Sequence, residues 1–281
     1  MTVLEAPPLH VLRAYGLAGE PVLLPGGQGR AYRVGDAVVR HGDDAAVDAW
    51  LARVQADVVE DGFRVARPLP ARDWRCDDGW TVDGWSAWGW LPGEHRTTGA
   101  DWPAGVEVAR RFTAALARVP RPSFTDSRAD VFADADRIAW GELAVPGVGD
   151  AAELVAELVG QARPDHAPRQ VVHGDIAGNL LWADGLPPAV IDLSPSWRPA
   201  GLAPAQVVVD AVLWYGADAS LADELDGPDP ASLVARALAF RLAIHALMEA
   251  GHEDVLRWDP AQVERDLARA RPLVERLRSG L

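Results

Sequence analysis

The spacing of apolar residues changes near Leu91, and this change constrains the fold more than any other feature of the sequence. Before it, short β-like runs alternate with turn formers, at residues 21–24, 30–34, 37–40, 64–69 and 73–90. After it, apolar residues recur at the three-to-four spacing of helices that face a core. One stretch interrupts the helical part: residues 170–193 read strand, loop, strand, turn, strand. A central parallel sheet wrapped by helices needs strand and helix to alternate throughout, and this chain does not do that. The expected class is α+β, with a small antiparallel β lobe over residues 1–90 joined near 88–93 to a larger helical lobe over residues 91–281. With 281 residues, 49% of them hydrophobic, the chain can supply a core for each.

Local signals place the elements. Gly35-Asp36 reads as the hairpin turn between 30–34 and 37–40. Asp44 can cap the next helix, which is expected to turn Val47, Trp50, Leu51 and Val54 inward. The strand pair within 73–90 is expected to turn at Asp77-Asp78-Gly79. In the helical part, Asp101-Trp-Pro103 gives a cap and first turn to a helix burying Val106, Ala109, Phe112 and Leu116. Asp150 with Glu153 resembles a capping box. Further helices are expected at 204–215, 230–250 and 260–277, the last bent by Pro272.

Charge and composition narrow the function. There are 41 acidic residues against 27 Lys and Arg, a formal charge of −14. Binding duplex nucleic acid needs a basic face that displaces counterions, so no nucleic-acid partner is expected. The acidic balance would suit a cationic small molecule, and it would equally serve solubility alone. No run of about 18 apolar residues reads as a membrane span, and the start lacks a basic, then apolar, leader. No membrane partner and a cytoplasmic location are the expectations. Cys76 is the only cysteine, which excludes an intramolecular disulfide and a thiolate metal cluster within one chain. Lysine is absent altogether.

The segment Val171-Val-His173-Gly174-Asp175-Ile-Ala-Gly178-Asn179-Leu-Leu-Trp182 runs from an apolar pair through a polar loop to an apolar triplet. A second acid follows an apolar strand, Ala189-Val190-Ile191-Asp192. Two carboxylates and an amide on loops between short strands are the parts that phosphoryl transfer requires. One acid orients the attacking hydroxyl and accepts its proton, while the other acid and the amide hold Mg²⁺ against nucleotide phosphates.

His173-Gly174-Asp175 with Asn179, then Val190-Ile191-Asp192 after the Gly185 turn, resembles the aminoglycoside phosphotransferase family of kinase-fold enzymes. The resemblance implies an ATP- and Mg²⁺-dependent transfer to a hydroxyl of a small molecule. It makes Asp175 the base, His173 the brace of its loop, Asn179 and Asp192 the metal ligands, and Asp210 a buttress on the next helix. It also makes the turn at Gly26, Gly27 and Gly29 a nucleotide-covering hairpin, where glycine lets the backbone approach phosphate. Arg40 stands where the family carries a phosphate-binding lysine. Its acidic partner would come from Asp48, Asp57 or Glu60. The stretch from Trp85 to Glu94, with Trp88 and Trp90, resembles the linker that pairs with the adenine edge, and Val38, Leu181 and Ile191 would sandwich the ring. Most of Trp74, Trp80, Trp85, Trp88, Trp90 and Trp102 read as packing residues.

Three features depart from the family. Arg40 replaces the lysine, Asn179 follows Asp175 by four positions where five are usual, and Leu193-Ser194 replaces an aromatic continuation. In the following Ser194-Pro-Ser-Trp197-Arg-Pro199, Arg198 could meet phosphate or substrate, or close a surface loop against an acid. The leading expectation is a small-molecule kinase. The alternative is a nucleotide-binding pseudokinase without turnover, favoured by the arginine and the short loop and opposed by both acids.

Overall fold

The computed structural model describes residues 5–25, 29–72, 79–96, 98–147, 149–164, 166–252 and 259–281. In chain order its elements are α1 (Leu9–Ala14), β1 (Val22–Leu23), β2 (Ala31–Val34), β3 (Ala37–His41), α2 (Ala45–Asp57), β4 (Arg64–Val65), β5 (Thr81–Val82) and β6 (Trp85–Gly89). There follow α3 (Trp102–Ala115), α4 (Val131–Ala139), α5 (Asp150–Gln161), β7 (Arg169–His173), β8 (Leu180–Leu181), β9 (Ala189–Val190), β10 (Pro195–Pro199), α6 (Leu202–Trp214), α7 (Pro230–Glu249) and α8 (Pro260–Ser279). They form two compact units. The first takes the chain up to Glu94 together with Leu181–Ile191, and the second takes His95–Leu180 and Asp192–Leu281. The return of Leu181–Ile191 to the first unit, where residues 91–281 were expected to form one lobe, follows from β9 pairing parallel with β4.

The first unit is a five-stranded antiparallel sheet of order β1-β2-β3-β6-β5. Tyr32, Val34, Val39, Trp85 and Ala87 point to one face, where they pack with Val11, Leu12 and Tyr15. The Tyr15 hydroxyl donates to the backbone oxygens of Trp80 and Trp85, at 2.8 and 2.6 Å. Helix α1 has no counterpart in the sequence reading, because six residues are too few to display a helical period. The predicted turn at Gly35-Asp36 is present. The β5–β6 hairpin turns at Asp83-Gly84, whose φ angles of 50° and 79° suit a two-residue turn with both centres left-handed. Asp77 and Asp78, like Trp74, lie outside the described residues. The strand expected over 64–69 shrinks to β4 and one bridge from Pro68 to Trp88, since prolines at 68 and 70 cannot donate to a ladder. Asp44 caps α2 as expected, accepting from the Ala46 and Val47 amides. The buried face of α2, however, carries Asp48, Ala49, Leu51, Ala52 and Gln55 rather than the larger apolar set with Val47, Trp50 and Val54.

The second unit is helical around the two-stranded β7–β10 ribbon. Asp101 accepts from the Ala104 amide at the start of α3, and Val106, Ala109, Phe112 and Leu116 are buried as their spacing requires. Asp150 is not a cap: Gly149 holds that position, and both acids sit in the first turn, where they favour the helix dipole. Helix α8 continues through Pro272. Strand β10 goes unread in the sequence because a proline stands at each end. Helix α7 is long and apolar enough to cross a membrane, contrary to the sequence reading, but it is mostly buried against its neighbours and carries Arg236 and Arg241 inward.

Phe112 is fully buried and its ring lies 6.2 Å from that of His173. Phe112→Ala is expected to cost about 3–5 kcal/mol in urea unfolding. A loss below about 1 kcal/mol would contradict this packing.

Candidate active site

The catalytic loop follows β7. His173 ends that strand fully buried, and its Nδ1 accepts the Asp175 amide at 3.1 Å, which fixes the turn into the loop. Gly174 donates to the Ser194 oxygen at 2.8 Å, and the Gln206 side chain donates to the Gly174 oxygen at 3.0 Å. A one-turn 3₁₀ segment, Ala177–Asn179, closes the loop. That tight turn offsets the short spacing. Asn179 Nδ2 still reaches the Asp175 backbone oxygen at 2.7 Å and its Oδ2 at 3.3 Å. Both contacts use the amide nitrogen, so the other amide atom, Oδ1, is the one suited to a metal.

Asp175 is half exposed, while the group behind it is not. Arg241, from the middle of α7, donates from Nη2 to Asp175 Oδ1 at 2.7 Å. The same guanidinium grips Asp210 of α6 through two bonds, Nε to Oδ1 at 2.7 Å and Nη2 to Oδ2 at 2.6 Å. Gln206 and Asp210 are four residues apart on α6 and so share the face that supports the loop. Burial pushes the Asp210 carboxyl up to about 6, with Arg241 pulling against it and the Asp175 charge adding to the rise. Burial acts to lower Arg241, but the two carboxylates outweigh it and hold the guanidinium above its ordinary value. Tyr215, stacked on Trp102 at 5.0 Å, is raised by its own burial and then by Asp210 and Asp175. Asp210 therefore reaches the loop through an arginine.

Asp192 lies two residues beyond β9, exposed, with a left-handed φ of 48°. Non-glycine residues rarely adopt that conformation, and such outliers concentrate at working sites.

In the first unit, Arg40 and Val38 point away from the core and share a sheet face with Ser86 and Trp88, their direct partners across the β3–β6 pair. Arg40 Nη2 meets Asp48 Oδ1 at 3.0 Å, which selects Asp48 over Asp57 and Glu60 as its partner. Its guanidinium also lies 5.8 Å from the centre of the Trp88 ring. Gly42 is required here: a Cβ at that position would fall 1.6 Å from Asp48 Oδ2. Trp88 is buried and donates to the Ser86 hydroxyl, while Trp90 carries Arg33 over its ring at 4.1 Å. The Gly89 and Trp90 amides are bonded to the Arg67 and Asp36 oxygens, so these two donors of the linker are already used within the protein. Leu181 and Ile191 are half-buried. Gly29 has a φ of 73°, as a glycine turn requires, and Gly26 and Gly27 lie outside the described residues.

Of the two roles open to Arg198, the structure shows the closure against acids: the side chain is buried and bonded to both Asp136 and Glu142, the latter in the exposed segment after α4, over the Trp140 ring. Arg241 was missed. Its signal is a buried arginine inside an apolar helix, matched by the lone Asp210 inside another.

The sequence profile of the phosphotransferase enzyme family matches residues 23–196. No curated sequence matches the chain. Among solved structures, a choline/ethanolamine kinase family protein from Mesorhizobium loti aligns with a TM-score of 0.60 at 18% identity, over 92% of this chain and 89% of that one. A spectinomycin phosphotransferase solved with ADP and spectinomycin gives 0.56 at 11% identity, over 95% and 97%. An aminoglycoside phosphotransferase from Alicyclobacillus acidocaldarius gives 0.55 at 16% identity, over 98% and 95%. The fold is thus that of the kinase-like phosphotransferases, and the profile covers more than half of the chain, through β2, β3, the catalytic loop and Asp192: the chain belongs to the phosphotransferase enzyme family.

Proposed function

We propose that this protein transfers the γ-phosphate of ATP to a hydroxyl of a small molecule. The observation that carries the reading is Asp175, a half-exposed carboxylate held from behind by Arg241 and from the loop by Asn179. A fixed carboxylate open on one side suits a group that receives a hydroxyl, aligns its oxygen and takes its proton. His173 supports this role by setting the turn from which Asp175 projects.

Asp192 and the Asn179 Oδ1 offer oxygen donors only. That fits Mg²⁺, which keeps several waters and takes further ligands from phosphates. Among the described residues no group of three or more His, Cys, Asp and Glu side chains forms a metal cage of its own. Bound there, the ion would offset phosphate charge as the transfer proceeds. In the first unit, Arg40 would grip phosphate oxygens, with Asp48 fixing its direction. Gly26, Gly27 and Gly29 would let the backbone approach the phosphates. Val38, Leu181 and Ile191 are the apolar candidates for the base. The second unit would carry the transfer chemistry and the first the nucleotide-holding groups. The formal charge of −14 is compatible with a cationic acceptor and is explained as well by solubility.

A binding module without turnover is the second reading, and the arginine at position 40 favours it. The retained Arg40–Asp48 pair and the braced Asp175 favour the enzyme.

Asp175→Asn is expected to lower ATP turnover by about 10²–10⁴-fold while Mg·ATP affinity, read by calorimetry, stays the same. Equal turnover in the two proteins would refute the assignment. Asp192→Asn should weaken Mg·ATP binding with an unaltered circular dichroism spectrum; unchanged affinity would remove Asp192 from the metal site. Arg40→Ala should raise the KM for ATP, Arg40→Lys should retain function, and Gly42→Ala should reproduce the Arg40→Ala defect by displacing Asp48. A Gly42→Ala enzyme with the wild-type KM would contradict the role of that pair.

A further inference from the structure

We propose that Arg241 is the positioning residue for Asp175: locked by Asp210, it holds one oxygen of the carboxylate and leaves the other to meet the acceptor hydroxyl. The inference rests on the phosphotransfer reading above and adds a residue that the sequence motif does not contain.

The geometry is directional. Arg241 spends Nε and one hydrogen of Nη2 on Asp210, and the other hydrogen of Nη2 on Asp175 Oδ1. The Trp214 and Phe240 rings flank the guanidinium at 4.9 and 5.0 Å, so it cannot swing away. Its side chain is only 6% exposed and Asp210 only 1%, whereas Asp175 is 47% exposed. The buried pair alone would satisfy Arg241 as a structural element. The third bond instead points outward, to a loop carboxylate that water could solvate. Among the described residues, Asp175 Oδ2 has only the longer 3.3 Å contact from Asn179, which an incoming hydroxyl can replace.

In phosphoryl transfer through a loose transition state the protein contributes mainly alignment and charge stabilisation, and alignment of the carboxylate is what Arg241 supplies. The titratable groups facing Arg241 are Asp175 and Asp210, with Tyr215 sensing the same charges. A lysine at 241 would offer a point charge without the planar fork that joins two carboxylates.

The test compares wild-type, Asp175→Asn, Arg241→Met and the double variant Asp210→Asn/Arg241→Met, using steady-state ATP turnover and calorimetry of Mg·ATP. The double variant removes the buried pair together and so avoids leaving a lone buried charge. In both Arg241→Met proteins kcat should fall by about 10²-fold. Mg·ATP affinity should not change, so the loss appears in kcat and not in nucleotide binding. A folded double variant with wild-type kcat, alongside an inactive Asp175→Asn, would overturn the positioning role alone. Wild-type turnover in Asp175→Asn would overturn the phosphotransfer reading and this inference with it.

Discussion

Helices α6 and α7 pack much of their length into an apolar core, and two of the charges they bury there, Asp210 and Arg241, meet each other. An unpaired buried charge costs several kcal/mol, and breaking such a pair costs about 3–5 kcal/mol. The two helices must therefore pack in the register that brings these groups together. That register also fixes what lies in front of the arginine. The catalytic loop is tied to α6 by Gln206 and to the arginine by Asp175, so its geometry follows from the helix pair rather than from the loop itself.

A parallel arrangement operates in the first unit with different parts. The chain contains no lysine, so whatever charge it presents to phosphate must come from arginine. A guanidinium on a strand can point in several directions, and Asp48 selects one of them. Asp48 sits on the buried face of α2, where its carboxylate fills the space above Gly42. Both candidate working groups, Asp175 and Arg40, are thus held by a buried partner of opposite charge. In each case the partner lies on a helix and the group it holds lies on a strand or loop.

Much of this was legible in the sequence. The change of pattern near Leu91 gives the α+β class. The His173–Asp192 segment gives the strand–loop–strand frame that carries the candidate site residues, because polar loops between apolar runs are plain in its sequence. What the sequence hides has physical causes. Strand β10 is masked by its prolines, and α1 by its length. The β5–β6 turn at Asp83-Gly84 goes unread, although both positions accept left-handed backbone. The two roles open to Arg198 are separated only when Asp136 and Glu142, far away in sequence, are seen to enclose it. Arg241 lies 66 residues from Asp175, a separation that no local motif spans. Buried charges inside apolar helices are the signal that would have found it.

The central claim is phosphoryl transfer to a hydroxyl that depends on Asp175. Its most direct test incubates the wild-type protein and Asp175→Asn with Mg·ATP and pooled hydroxylated small molecules, followed by intact-mass analysis of every component. The account predicts that one class of compound gains a single phosphoryl group with the wild-type protein and fails to do so with the variant. If both proteins bind Mg·ATP and no compound gains phosphate with either, the protein is a nucleotide-binding module and the claim is contradicted.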